Sequence, residues 1–433
     1  MKLYSTNKQV AEVNLEEAVF KGLPDDNGLY MPISIPTLPA SFFDNIDKLS
    51  FQEIALEVCK TLIGEDVEEQ ALEKIVHDVL SFDAPVIEVE SQISVLELFH
   101  GPSFAFKDFG ARFMARLMAY FLEKEQKEIN ILVATSGDTG SAVAQGFFGM
   151  PGIKVTILYP SGKVSDIQEK QLTTLGNNIT ALEVNGTFDD CQRLVKEAFL
   201  DTDLRSKMNL SSANSINISR LIPQSFYYFY AYAQLKKQGK LPVIFATPSG
   251  NFGNLCGGLI AKRMGLPIEK FVAATNANDI VPAYLASGIF TPKPSVQTIS
   301  NAMDVGNPSN FARLMALYNN DLSSIQTEIS GKKYTDQETA KAIESVYKNT
   351  GYILDPHGAV AYLGLKDYLS ESGSKAHGVF LATAHPAKFI EVVEDVIKTK
   401  VELPKALQDA VNREKKSIPL DPKLENLKAF LLN

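Results

Sequence analysis

Lys107 is the side chain whose setting first suggests chemistry, because it lies among three phenylalanines in the segment HGPSFAFKDFG (100–110). Apolar residues recur from 109 to 122 at a helical period, so Lys107 would stand at a helix start. Burial and the helix dipole both disfavour an ammonium there, and a neutral amine is what a Schiff-base lysine needs. The alternative is a lysine that snorkels from a core helix with its ammonium in water, and this segment alone favours that alternative.

Two glycine-rich turns, each between an apolar strand and a helix, could bind anions through backbone N–H groups. The turn PSGNFGN (248–254) has neither the P-loop pattern nor the dinucleotide-binding glycine spacing, which favours a single phosphate. The turn TSGDTG (135–140) suits a carboxylate or a phosphate, although Asp138 would repel an anion and better suits a hydroxyl or a cation. Either turn could instead be only a tight connection.

A third polar segment, NSINISR (214–220), precedes an aromatic-rich helix. Arg220 could grip a phosphate with paired hydrogen bonds, and a surface arginine beside a helix cap is the alternative. Thr383 ends another apolar strand and could aim its hydroxyl into a site at the carboxyl ends of the strands. His357 and His385 could be catalytic or merely packed, and the pattern leaves both interpretations open.

The elements that would position these residues alternate between strand and helix from about residue 92 onwards. Short apolar runs at 129–134, 155–159, 243–247 and 378–383 are each followed by a turn, which predicts an α/β fold with parallel sheets covered on both sides. We expect four parts: a cap module at 1–80, a smaller α/β domain at 81–220, a larger one at 221–402 with a loop-rich insertion at 276–330, and a tail at 403–433.

Composition argues against several classes of function. The formal net charge of -9 argues against a nucleic-acid or anionic-membrane partner. The three cysteines form no CxxC pair and the five histidines show no zinc-binding spacing, which predicts a reduced compartment and no metal site. The sequence shows no signal-like start and no apolar run of membrane-spanning length, so we expect a soluble, cytoplasmic protein.

Together these segments resemble the threonine synthase family, over essentially the whole chain and in the family's order. The resemblance is carried by HGPSFAFKDFG (100–110), ATSGDTGSA (134–142), NSINISR (214–220), PSGNFGN (248–254), TNANDIVP (275–282) and LATAHPAKF (381–389), with GLYMPISIP (28–36) near the start. It implies the tryptophan synthase β-like fold (fold type II) and the cofactor pyridoxal 5′-phosphate (PLP). It also implies conversion of O-phospho-L-homoserine and water to L-threonine and phosphate. The sequence does not decide between a monomer and a homodimer.

The same resemblance implies which residues hold the cofactor. Lys107 would be the Schiff-base lysine and the proton carrier, and Thr383 would hydrogen-bond the pyridine nitrogen. The cofactor phosphate would lie in the turn formed by Gly250, Asn251, Phe252 and Gly253. Asp138 falls where many relatives on this fold have an asparagine bonded to the 3′ oxygen of the cofactor, so its partner and its protonation are open.

The resemblance further implies which residues hold the substrate. Ser136 and Gly137 would bind its carboxylate. The substrate phosphate would be gripped by Thr139, Asn214, Ser215 and Arg220. Three alternatives remain: a lyase that releases phosphate, ammonia and a 2-oxo acid; a PLP-binding relative without activity; and a dinucleotide-dependent enzyme, which the glycine spacing disfavours.

Overall fold

The computed structural model describes residues 1–125, 128–135 and 137–432. Its strands are β1 (Lys2–Ser5), β2 (Val13–Asn14), β3 (Tyr30–Pro32), β4 (Val86–Glu90), β5 (Ile93–Glu97), β6 (Ile129–Ala134), β7 (Ile153–Pro160), β8 (Ile179–Val184), β9 (Leu210–Ser212), β10 (Val243–Pro248), β11 (Ile268–Thr275), β12 (Ile329–Lys333), β13 (His377–Ala382) and β14 (Ile418–Leu420).

The α-helices are α1 (Leu15–Lys21), α2 (Ala40–Asn45), α3 (Phe51–Ile63), α4 (Glu69–Val79), α5 (Lys107–Glu125), α6 (Asp138–Phe147), α7 (Asp166–Thr173), α8 (Phe188–Leu200), α9 (Thr202–Lys207), α10 (Ile218–Leu221), α11 (Phe226–Lys237), α12 (Gly253–Arg263), α13 (Ile280–Ser287), α14 (Phe311–Leu317), α15 (Leu322–Glu328), α16 (Asp336–Thr350), α17 (Pro356–Ser372), α18 (Ile390–Ile397), α19 (Lys405–Val411) and α20 (Leu424–Leu432). Short 3₁₀ turns lie at Ile46–Lys48, Ile222–Ser225, Asn301–Met303 and Pro386–Phe389.

Two largely parallel sheets form the body of the molecule. In the described part of the chain the larger sheet has the order β12-β11-β10-β13-β5-β4, with β4 antiparallel to β5. The smaller sheet has the order β14-β8-β7-β6-β9 and its pairs are parallel. Every residue of β10 and β13 is buried, as expected of parallel strands with helices on both faces.

The first eighty residues form a small antiparallel sheet, β2-β1-β3, with helices α1 to α4. Helix α3 begins with a capping box, in which Ser50 Oγ accepts from the Glu53 N–H at 3.2 Å and the Glu53 carboxylate accepts from the Ser50 N–H at 2.7 Å. One hydrophobic core joins this module to α5 and to both sheets, and includes Ile54, Phe109 and Phe245. Helix α5 is therefore held on several sides.

The sheets cross two of the domain boundaries predicted from the sequence. Strands β4 and β5 fall within the predicted domain 81–220 but belong to the larger sheet, where β5 pairs with β13. Strand β14 of the predicted tail 403–433 pairs with β8, so the tail is part of the smaller sheet. Alternating patterns locate strands, but long-range packing chooses their partners. The domain limits themselves stay a prediction.

Among the described helices, none is long and apolar enough to cross a lipid bilayer.

Candidate active site

The predicted site residues follow strands of both sheets at their carboxyl ends. In the larger sheet, β10, β13 and β5 are neighbours, and they lead into the turn 248–254, Thr383 and the Lys107 segment. In the smaller sheet, β6 and β9 are neighbours and lead into the turn at 137–140 and the segment 213–220. Parallel strands bring their carboxyl ends to one edge, which is where open α/β sheets bind ligands.

Lys107 is the first residue of α5, close to the position that the helical period predicts. Its segment is tied to the end of β13, because the Phe106 N–H donates to the Thr383 carbonyl at 2.8 Å and the His385 N–H donates to the Phe104 carbonyl at 3.0 Å. The Lys107 Nζ lies 4.9 Å from the centre of the Phe106 ring. Thr383 and Lys107 are therefore close neighbours.

The pKa of the Lys107 amine is lowered, chiefly because burial disfavours its charged form. The positive charges of Lys388 and Arg220 lower it further, whereas the carboxylate of Asp138 opposes the shift. A lowered pKa in a site of this kind is a mark of a functional lysine. Lys107 is half-buried, and its lowered pKa favours the neutral-amine interpretation over a lysine with its ammonium fully in water.

The turn after β10 is compact and opens directly into α12. Phe252 adopts a left-handed conformation with φ of 62° immediately before the helix. A Cβ added at Gly250 would lie 2.8 Å from Met303 Cα, so the 3₁₀ turn Asn301–Met303 packs directly on this glycine. Asn251 Oδ1 accepts hydrogen bonds from the Ser309 N–H at 3.0 Å and from the Ser309 hydroxyl at 2.9 Å. These two bonds hold the Asn251 side chain in place.

Buried polar atoms around this turn are left without partners among the described residues. They are Gln224 Oε1, Asn254 Nδ2 and Asn310 Nδ2. Buried polar atoms are normally hydrogen-bonded, so the two unpaired amide donors of Asn254 and Asn310 fit a polar, anionic group bound here. A helix N-terminus with glycines at its entry is also the geometry that receives a phosphate.

The turn after β6 contains Asp138 as the first residue of α6. Thr135 Oγ1 accepts from the N–H groups of Gly137 at 3.0 Å and Gly140 at 2.8 Å, so this hydroxyl shapes the turn. Gly137 has φ of 139°, a conformation open to glycine. Ser136, predicted as a substrate ligand, lies outside the described residues.

Asp138 has a partner that the sequence did not reveal. The Lys388 Nζ lies 2.6 Å from Asp138 Oδ1, and the Gln168 amide also donates to that oxygen at 2.9 Å. Burial alone would raise the pKa of Asp138, but the ammonium groups of Lys388 and Lys107 and these hydrogen bonds outweigh it, and the pKa is lowered. Asp138 is therefore a carboxylate. Lys388 belongs to the LATAHPAKF segment, but no local pattern pairs it with residue 138.

Arg220 is buried with 2% of its surface exposed, which excludes the surface-arginine alternative. One of its terminal nitrogens donates to the Ala213 carbonyl at 2.6 Å, and its Nε would lie 2.8 Å from a Cβ at Gly110, one turn into α5. Burial lowers the pKa of its guanidinium to about 10, so the group stays charged at neutral pH. A buried guanidinium whose Nε has no partner among the described residues can donate hydrogen bonds to an anion.

A second buried arginine, Arg313, holds the neighbouring segment and was missed in the sequence. Its guanidinium donates to the Ile216 carbonyl at 2.6 Å, the Ser215 carbonyl at 3.2 Å and the Tyr30 carbonyl at 3.1 Å. It thereby joins the N-terminal module to the loop that carries Asn214 and Ser215. Arginines in this role have no local sequence signature.

A cleft of about 1370 Å³ lies beside four of the predicted site residues. Thr139, Asn214, Ser215 and Asn251 line it, whereas Arg220 and Lys107 are not among its lining residues. Asn251 Nδ2 and Ser215 Oγ are 3.5 Å apart, so the two predicted phosphate-binding segments meet. Binding sites for small ligands are commonly about 300–1,000 Å³, so the cleft is large enough for a cofactor and a substrate.

His100, His357 and His385 have structural partners. His385 Nδ1 accepts from the Ala387 N–H at 3.1 Å and caps a 3₁₀ turn, and His100 is paired with Glu97 at 2.8 Å. His357 Nε2 accepts from the Ala302 N–H at 3.2 Å, so its proton is on Nδ1, 2.9 Å from Asp355 Oδ1. Through Ala302, His357 supports the turn that packs on Gly250.

Comparisons with known proteins agree with this geometry. Family models match at 85–384 (pyridoxal-phosphate dependent enzyme), 2–80 (threonine synthase N terminus) and 358–431 (threonine synthase, C-terminal). Threonine synthase from Escherichia coli strain K12 is 43% identical over 433 residues, covering 100% of each chain.

Two solved structures share the whole fold. The crystal structure of threonine synthase from Escherichia coli matches with a TM-score of 0.92 and 42% identity, covering 100% of both chains. PLP-bound threonine synthase from Brucella melitensis matches with a TM-score of 0.94 and 36% identity, covering 100% of this chain and 98% of that one. The resemblance, the fold class and the PLP cofactor predicted from the sequence are confirmed. The chain belongs to the threonine synthase family of pyridoxal-phosphate dependent enzymes.

Proposed function

We propose that this enzyme converts O-phospho-L-homoserine and water to L-threonine and phosphate. The observation that carries the proposal is the meeting of two anion-binding segments, the turn at Gly250–Gly253 and the loop at Asn214–Arg220, linked by Asn251 and Ser215. A phosphorylated cofactor and a phosphorylated substrate need two such segments side by side. Lys107, with its lowered pKa, lies one helical turn from the Gly110 against which Arg220 packs.

The cofactor would be held by residues of the larger sheet. The backbone N–H groups of Gly250, Asn251, Phe252 and Gly253 would bind its phosphate, Thr383 would bond the pyridine nitrogen and Lys107 would carry it covalently. When bound, PLP supplies an electron sink for negative charge that develops on the substrate carbons. The remaining chemistry falls to the side chains of the chain itself.

Lys107 is the proposed proton carrier. A neutral amine is a base. Because the pKa of Lys107 is lowered, more of it is neutral at a given pH than of a free lysine. With substrate bound, the Lys107 amine would remove the proton from the substrate Cα. A second proton would leave Cβ and phosphate would leave Cγ. A proton would then return to Cγ, water would add its hydroxyl to Cβ, and the return of a proton to Cα would complete L-threonine.

Phosphate can leave the substrate readily only if nearby donors or positive charges stabilise its negative charge. Arg220 with Thr139, Asn214 and Ser215 would bind the leaving phosphate, and the Arg220 charge acts strongly because the group is shielded from water. Ser136 and Gly137 would bind the substrate carboxylate. These residues would fix both ends of the substrate relative to Lys107.

Product analysis tests the proposal directly. The purified holoenzyme, incubated with O-phospho-L-homoserine, should release phosphate and L-threonine in equal amounts. Phosphate accompanied by 2-oxobutyrate and ammonia would instead assign the lyase reaction. No phosphate release by a PLP-loaded enzyme would contradict the proposed substrate.

We further propose that the enzyme works on small molecules in the cytoplasm as a monomer or a homodimer. The three cysteines, Cys59, Cys191 and Cys256, are all free and buried, which supports a reduced compartment. Sedimentation of the holoenzyme measures the oligomeric state.

Gly250→Ala is expected to weaken PLP binding by about 10- to 100-fold. The new Cβ would lie 2.8 Å from Met303 Cα and 3.0 Å from the Ala302 carbonyl oxygen, so the turn or its neighbour must shift. Overpacking of this kind costs about 1–3 kcal/mol. Titration of the cofactor-free protein with PLP, followed by fluorescence, measures the dissociation constant.

Gly253→Ala is the matched control on the same turn. A Cβ there meets no atom closer than 3.5 Å, to Asn310 Nδ2, which is ordinary contact. Its effect on the PLP dissociation constant should be clearly smaller. Equal effects of the two variants would show that the packing of residues 302 and 303 does not shape the turn.

A further inference from the structure

Lys388 is a second buried lysine at the site that the proposed function does not use. It lies in the 3₁₀ turn that follows β13, close in sequence to Thr383. None of its side chain is exposed, and its ammonium contacts Asp138 Oδ1 at 2.6 Å and donates to the Ser103 carbonyl at 2.9 Å. Asp138 comes from the smaller sheet and Ser103 from the segment that carries Lys107. Lys388 therefore connects the turn after β13 both to α6, through Asp138, and to the segment that carries Lys107, through Ser103.

Stability alone gives no reason for this pair. Two charges buried this deeply lose their hydration, and that cost offsets most of their attraction. An apolar pair of the same volume would often be as stable or more stable. The Gln168 amide, which also donates to Asp138 Oδ1 at 2.9 Å, further fixes the carboxylate in one orientation. The pair is thus held in one geometry, and the bond from Lys388 to the Ser103 carbonyl ties it to the segment that carries Lys107.

The charged groups around Lys107 oppose one another. Asp138 favours a positive charge on the Lys107 nitrogen, whereas Lys388 and Arg220 disfavour it. Two titratable groups lie beyond them: Asp108, whose pKa burial raises to about 6, and His385, whose pKa burial lowers. Of these groups, Lys388 contacts Asp138 directly. Lys388 and Lys107 are the two cations that lower the pKa of Asp138, so the loss of Lys388 would leave Lys107 in that role.

We propose that Lys388 is a positioning residue for the chemistry at Lys107. Its ammonium pairs with Asp138 to form a neutral buried unit, so that a buried carboxylate can lie near Lys107 without becoming its counter-ion. The Lys107 nitrogen then gives up its proton readily, as its proposed role as proton carrier requires. This inference rests on that proposed role.

Lys388→Met tests the inference by leaving Asp138 without its partner. In this variant the pH midpoint for protonation of the nitrogen that joins Lys107 to PLP should rise by about one unit or more, because an opposite charge at short range favours the charged form by this amount. The midpoint is read from the absorbance of bound PLP against pH. Adding Asp138→Asn removes the carboxylate too and should return the midpoint close to that of the wild type. Lys388→Arg keeps the charge and should leave the midpoint near the wild-type value.

A purely structural role for Lys388 would not raise the midpoint in Lys388→Met and restore it when Asp138→Asn is added. Lys398→Met is the matched control, since it removes a lysine–aspartate pair of 2.8 Å to Asp395 on the surface, and it should not move the midpoint. Asp108→Asn shows how much of the measured pH dependence comes from titration of the Asp108 carboxyl. If Lys388→Met does not fold, Lys388→Gln gives the same comparison with a polar side chain, and it too must raise the midpoint.

An unchanged midpoint in Lys388→Met, or a rise that persists when Asp138→Asn is added, would overturn the inference. The proposed function is checked separately in the same preparation, by mapping the peptide to which reduced PLP is attached. A label at Lys107 with unchanged midpoints rejects only the role of Lys388. A label elsewhere rejects both.

Discussion

Lys107→Ala is expected to lower kcat by about 10⁴-fold or more, the largest effect of any single substitution at the site. The change would remove both the proposed covalent attachment of the cofactor and the amine proposed to move protons on the substrate. The other proposed cofactor contacts, at the turn 250–253 and Thr383, would remain, so the variant should still bind PLP, with an altered absorbance spectrum. Steady-state kinetics of phosphate release and a spectrum of the purified variant measure both effects.

Two further measurements separate chemistry from folding. A small primary amine in the buffer should restore part of the lost rate, because it can replace the missing base. Lys375→Ala, at an exposed lysine away from the cleft, should keep wild-type kinetics. Activity of Lys107→Ala near that of the wild type, with PLP still covalently bound, would contradict the assignment.

Arg220→Ala is expected to lower kcat/KM for O-phospho-L-homoserine by about 10²- to 10³-fold, the cost of removing one strong donor to a developing anion. The guanidinium is buried, positively charged and has an unpaired Nε, so its loss removes charge where water cannot replace it. Inhibition by inorganic phosphate should weaken as well, whereas the affinity for PLP should change little. Arg220→Gln keeps much of the volume and guards against a packing defect.

Arg193→Ala is the control for general electrostatic attraction. Arg193 lines the same cleft, but it is exposed and paired with Glu197 at 3.0 Å. Its loss should change kcat/KM by less than about fivefold, as is usual for exposed ion pairs. If Arg193→Ala were as damaging as Arg220→Ala, or if Arg220→Ala lost PLP instead of substrate, the proposed phosphate site would be wrong.

Much of the site could be predicted because its parts are local in the sequence. The helical period after Lys107 and the glycines between strand and helix at 248–254 are patterns within a few residues, and the structure has α5 starting at Lys107 and α12 starting at Gly253. The strands were equally local, since buried apolar runs of parallel sheets are easily seen.

The unpredicted features all depend on contacts between distant parts of the chain. Lys388 is remote in sequence from Asp138, and Arg313 reaches carbonyls at Tyr30 and Ile216, so no spacing rule connects them. His357 could be read as catalytic until its bond to the Ala302 N–H showed that it supports the turn beside Gly250. For the same reason the sheet partners of β5 and β14 were not foreseen.

The most direct test of the account is reduction of the holoenzyme with borohydride, followed by digestion and mass spectrometry. If Lys107 carries PLP covalently, we expect a single pyridoxyl group on the peptide that contains Lys107, and loss of this label in Lys107→Ala. A pyridoxyl group on Lys388 or on any other lysine, or a wild-type protein that takes up no label after incubation with PLP, would contradict it.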